Sequence, residues 1–105
     1  MNKRKLIDTL STLIAVALRH RIGSIVNKNE IYSQKYAKDA DTLLNEAKKL
    51  SLELNWNSYD KQRIIEESRR KLRAELESKR FLNEKKFEII DDELNNALRE
   101  LGLLE

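Results

Sequence analysis

The chain has 105 residues, a formal net charge of +3 and 37% charged residues, well above the ~25% usual in globular proteins. It has no Cys, no Pro and only two Gly, which excludes a disulfide framework, a thiolate metal site and a Gly-rich phosphate loop. No stretch approaches the ~20 apolar residues of a membrane span, the longest apolar run being residues 13–18, so a soluble, cytoplasmic protein is expected.

Length and composition fit one helical domain over residues 1–105 with a modest core. The first apolar stripe is Leu6, Leu10, Leu13 and Ala17, with Ile7, Ile14, Leu18 and Ile22 alongside. This is helical spacing, and Gly23 is its expected stop. Lys3, Arg4 and Lys5 before an apolar stretch loosely imitate a signal peptide. Asp8, Thr9, Ser11 and Thr12 interrupt that stretch, so an ordinary first helix is expected.

Asn27 and Glu30 are spaced as a capping box for a second helix, and Val26 and Ile31 as its hydrophobic staple. The second stripe is Tyr36, Ala40, Leu43, Ala47, Leu50 and Leu54. Residues 55–58 read as a turn in which Asn57 caps a third helix, with Asp60 in its first turn. The third stripe, Ile64, Ile65, Ser68, Leu72 and Leu76, is thin. Asn83 is the expected cap of a fourth helix, with Leu82 and Phe87 as a second staple. The fourth stripe is Phe87, Ile90, Leu94, Leu98 and Leu101. Gly102 falls at a left-handed stop, with Leu98 and Leu103 spaced for its accompanying contact.

The expected helices are 3–22, 28–54, 58–80 and 84–101. Short connections then favour an all-α, four-helix, up-down-up-down antiparallel bundle. The alternative is a set of helical hairpins in which the last two helices fuse into one long arm that dimerises. Net charge alternates along the chain: +6 over residues 1–38, −3 over 39–60, +4 over 61–80 and −4 over 81–105. That pattern suits attraction between successive helices better than a polyanion-binding face.

No catalytic, cofactor-binding or metal-binding set emerges. His20, the only histidine, continues the first stripe and is expected at a core edge. The serines fall in helical runs or at caps, away from any strained Gly-rich turn. Glu88, Asp91, Asp92 and Glu93 cluster by sequence but spread around a helix, so a solvated face is the simpler reading than a cation site. Arg69, Arg70, Lys71, Arg73 and Arg80 are the candidate nucleic-acid contacts. Glu66 with Arg70, Glu67 with Lys71 and Glu75 with Lys79 stand at i,i+4, which would lace and locally neutralise that patch. The first helix has a polar face of Ser, Thr and Asp, unlike an interfacial membrane helix. Trp56, in a turn, is expected to be a lid on the core or a partner anchor.

The resulting expectation is a non-enzymatic helical scaffold that needs no partner. Consistent caps, staples and stops also fit an artificial, de novo designed sequence, and Leu104 with Glu105 fits a cloning remnant. One alternative is a natural interaction adaptor or homodimer. The other is a small basic nucleic-acid-binding protein, the less favoured of the two.

Overall fold

The computed structural model describes residues 2–27, 31–79 and 84–104. Among them are four α-helices and no strand: α1 (Lys3–Val26), α2 (Ser33–Ser51), α3 (Ser58–Glu77) and α4 (Ile90–Glu100). A 3₁₀ turn, Glu84–Phe87, precedes α4. The fold is the expected helical bundle, and the last two helices are separate, not fused.

Helix α1 is the spine. It packs extensively on α2 and α3, while α2 and α3 barely touch each other. The Ser33 hydroxyl at the start of α2 donates to the Ser24 carbonyl near the end of α1 at 3.0 Å, so these two run antiparallel. Lys3 pairs with Asp60, Asp8 with Lys71 and Arg19 with Glu75. The partners advance in the same order, so α1 and α3 run parallel. Helix α4 bridges the two, from Arg69–Asp91 on α3 to Arg21–Glu100 on α1.

The core follows the stripes. Leu6, Ile7, Leu10, Ile14, Ala17, Leu18 and Ile22 of α1 are all buried, and Leu13 is half-buried. The thin third seam is fully used, with Ile64, Leu72 and Leu76 of α3 at 0% exposure. Leu94, Ala97 and Leu98 of α4 join the same cluster. On α2 the buried line is Ser33, Ala40, Leu44, Ala47 and Ser51, rotated from the expected stripe, in which Leu43 and Leu50 are only half-buried. Four of those five residues are small, which lets α2 approach α1 closely.

Several expected boundaries move. Gly23 does not stop α1; it is buried inside the helix, which continues to Val26. A glycine costs only ~1 kcal/mol in a helix interior, and burial of Ile22 on one side with packing of Val26 on the other offsets it. Asn27 closes α1, its N–H bonding the Gly23 carbonyl at 3.0 Å, and does not open α2. Glu30 lies outside the described residues. The first staple does not form, because Ile31 is 85% exposed. Helix α2 instead starts after Tyr32, without a side-chain cap.

Asn57 does cap α3, in a capping box with Asp60: the Asp60 N–H donates to Asn57 Oδ1 at 2.8 Å and the Asn57 N–H to Asp60 Oδ2 at 3.3 Å. Asn83 and Leu82 lie outside the described residues, and Phe87 is exposed. The α-helical part of the fourth segment begins only at Ile90. Lys86 is buried and donates from Nζ to the Lys79 carbonyl at 2.9 Å. A cation there suits the negative end of the α3 dipole. Gly102 has φ +74°. The Leu103 N–H reaches the Leu98 carbonyl at 2.9 Å and the Gly102 N–H the Arg99 carbonyl at 3.1 Å. This is the complete Schellman pattern.

Candidate functional site

The charge alternation is met in part by pairing of successive helices, through Arg21–Asp41 between α1 and α2 and Arg69–Asp91 between α3 and α4. Helices α1 and α3 also lie side by side, and charged residues of both line their seam. Because they run parallel, the α1 residues Arg4, Lys5 and Asp8 sit level with Arg63, Glu67 and Arg70 of α3. Together these line a groove of about 590 Å³. A second groove of about 370 Å³ continues past Arg70 toward Val16 and Glu75.

Lys71 anchors the seam. Its Nζ donates to the Asp8 carboxylate at 2.7 Å, the Asp8 carbonyl at 2.9 Å, Ser11 Oγ at 2.8 Å and Thr12 Oγ1 at 3.0 Å. A serine that close to a lysine invites comparison with a nucleophile–base dyad. Four oxygen acceptors of α1, one of them a carboxylate, surround this nitrogen. The Ser11 hydroxyl is itself engaged with the Asp8 carbonyl at 3.0 Å. The cluster is a tether between two helices.

The carboxylates along the seam respond to their cations. The hydrogen bond from Lys71, then its charge, holds the Asp8 carboxyl below the usual carboxylate range. The hydrogen bond from Lys3 does the same for Asp60, against the opposing effect of burial. That from Arg70 does so for Glu67. Among the described residues, Arg4, Lys5 and Arg63 make no ion pair. With no acid in the first turn of α1, the groove keeps uncompensated positive charge.

No family model matches the chain, and neither the curated proteins nor the solved structures contain a match. The reading of the site therefore rests on its geometry.

The expected nucleic-acid contacts do not assemble into one patch. Arg70 lines the groove. Arg69 turns to Asp91 on α4 at 3.5 Å, Lys71 is the tether, and Arg73 is exposed. Arg80 lies outside the described residues. The expected i,i+4 lacing is also replaced: Arg70 pairs with Glu67 at i,i+3, Glu66 accepts from Gln62, and Glu75 pairs with Arg19 of α1. Glu75 and Lys71 take cross-helix partners because α1 supplies opposite charges within reach of α3. Arg4, Lys5 and Arg63 are the residues that sequence reasoning did not bring together. The available signal was the line Tyr59, Arg63, Glu67 and Arg70, which falls on one face at helical spacing.

The other candidates have settled structural partners. His20 is half-buried, its Nδ1–H donating to the Val16 carbonyl at 2.8 Å and its ring edge-on to Tyr36 at 6.0 Å. Trp56 is half-buried against the core, its indole N–H donating to the Ser51 carbonyl at 2.8 Å. It caps the end of α2 as a lid. Among the described residues no His, Asp and Glu side chains converge as a metal-binding group; Asp91 and Asp92 are exposed. No described helix is long and apolar enough to cross a membrane.

Proposed function

We propose that this chain is a self-contained helical module that acts by surface contact, without catalysis of its own. The observation that carries this reading is the third seam. A thin stripe that needed a second chain would leave Ile64, Leu72 and Leu76 partly open; here α1 and α4 cover them completely. Ser11, Ser33 and His20 each contact a neighbouring helix, which supports a structural role for them. Light scattering over a range of protein concentrations, at low and high salt, tests the reading. A constant mass of 12.4 kDa supports it. A concentration-dependent dimer would replace it with the adaptor or homodimer reading. One observation favours that second reading: Ile25, Ile31 and Tyr32 are exposed where α1 hands over to α2.

Three features count against an artificial origin. Helices α2 and α4 start without a side-chain cap. Helix α1 opens with three cations and no acid, against its dipole. A buried serine hydroxyl, Ser68 Oγ, has no partner among the described residues.

A further inference from the structure

We propose that the groove between the amino-terminal half of α1 and α3 binds the sugar–phosphate backbone of a single-stranded nucleic acid, with Tyr59, one turn before Arg63 on α3, as a stacking platform. The inference rests on the module reading, since the groove exists only where α1 and α3 pack within one chain.

Arg4 and Lys5 on one wall and Arg63 on the other carry charges that no described ion pair neutralises. Arg70 adds a fourth cation, shared with Glu67. Asp8 and Glu67 lie in the same groove, but Lys71 and Arg70 already occupy them. A ligand that threads the groove therefore meets cations outside any described ion pair, Arg63 acting on Asp60 and Glu67 only through its charge, and acids that already have partners. Arg63 and Arg70 are seven residues apart on α3, about 10 Å along the axis. This favours an extended anion with repeated charges over one compact phosphate.

Tyr59 selects among extended polyanions. It lies one helical turn before Arg63 on the same face and is 70% exposed. An exposed aromatic ring in line with free cations is the arrangement on which unpaired bases stack while their phosphates follow the basic groove. A flat anionic membrane does not fit a concave wall. Among the large apolar side chains exposed on the described surface, Tyr59 is the one in line with the groove cations, and it ends in a hydroxyl. A duplex offers no free base face to Tyr59.

The test is fluorescence anisotropy with a labelled oligothymidylate at varied salt, using the full chain. The expected affinity is in the micromolar range of non-specific binding. With three free cations the logarithmic salt slope is about −2, a loss of about twentyfold between about 50 and about 200 mM salt. Replacing Arg4, Lys5 and Arg63 together by Ala abolishes measurable binding. The same number of charges removed from α2, as Lys35→Ala, Lys48→Ala and Lys49→Ala, changes affinity by no more than about twofold, because those exposed lysines lie outside the groove. Tyr59→Ala weakens binding about tenfold while Tyr59→Phe retains it. Absence of binding by the native chain overturns the proposal. Equal losses for the two triple variants would overturn it in favour of general basicity. Binding to vesicles of anionic phospholipid without binding to the oligonucleotide would overturn it in favour of a membrane surface. Circular dichroism and mass measured on each variant separate these outcomes from a failure of the module itself. If the triple variant loses helix, the Tyr59 pair decides the matter, since Tyr59 is exposed.

Discussion

Lys71 and Asp8, sixty-three positions apart in sequence, lie 2.7 Å apart in the structure and lock α1 alongside α3. The lysine is largely covered, with its side chain 16% exposed. Its stem packs in the seam while its ammonium satisfies oxygens that α1 presents there. Lys71→Met keeps the stem and removes the donor. It is expected to lower the melting temperature by about 5 °C, because the buried Ser11 hydroxyl and the exposed Asp8 carboxylate each lose a partner. Exposed Lys49→Met should leave the midpoint nearly unchanged. Equal midpoints for the two variants would show that the tether contributes nothing.

The same contact sets an acid limb. Asp8, Asp60 and Glu67 are all held below their ordinary range by a cation that hydrogen-bonds to them. A carboxylate lowered on folding contributes stability that is complete above its unfolded value of about 4. The contribution disappears as pH falls through the lower, folded value. Melting temperature should therefore be flat from pH 7 to about 5 and fall below about pH 4. The double variant Asp8→Asn with Asp60→Asn should start lower at neutral pH and show a shallower acid limb, so the two curves draw together as pH falls below the ordinary carboxylate range. Parallel curves would assign the acid limb to other groups.

Apolar periodicity made the four helices legible, because each carries apolar residues at helical spacing, most fully in α1. The caps at Asn57 and Gly102 were legible because each depends on residues within one turn. Gly23 was misread because packing of a long apolar helix outweighs one unfavourable residue. The α2 seam was misread by a fraction of a turn, since Leu43 and Leu44 are equivalent until the neighbour's position is known. The groove was hidden for a deeper reason. Arg63 is nearly sixty residues from Arg4 and Lys5, and only the parallel alignment of α1 with α3 makes them neighbours. Local i,i+4 pairing of Glu67 and Lys71 was reasonable on one helix and gave way to Asp8 once a second helix was present.

Gly102 tests the stop of α4. Its φ of +74° is costly for a residue with a Cβ, yet nothing lies within 4 Å of the place where that Cβ would stand. Gly102→Ala should therefore cost about 1 kcal/mol, from backbone strain alone. Gly102→Asn should cost less, since Asn tolerates this conformation better. Chemical denaturation with unchanged m-values would isolate the effect. Equal stability of Ala and Gly at this position would mean that the Schellman turn is not formed in solution.

The third seam separates two kinds of buried residue on one helix. Leu72 and Ser68 are adjacent turns of α3, and both are fully buried. Leu72 belongs to the core cluster that residues of α1 and α4 share, so Leu72→Ala should destabilise by about 2–5 kcal/mol through lost burial and a residual cavity. Ser68 presents a hydroxyl with no partner among the described residues. Burying such a group costs about 1–3 kcal/mol, and removing it leaves a void of only one oxygen. Ser68→Ala should therefore be neutral or stabilising, by up to about 1 kcal/mol, which is about 4 °C in melting temperature. The opposite signs are the test. If Ser68→Ala destabilised as Leu72→Ala does, the hydroxyl would have a partner in solution and the seam would be wetter than a closed core. A loss below about 1 kcal/mol for Leu72→Ala would instead mean that α3 is held by its ion pairs and only loosely by its apolar stripe. The self-contained module would then lose its main support.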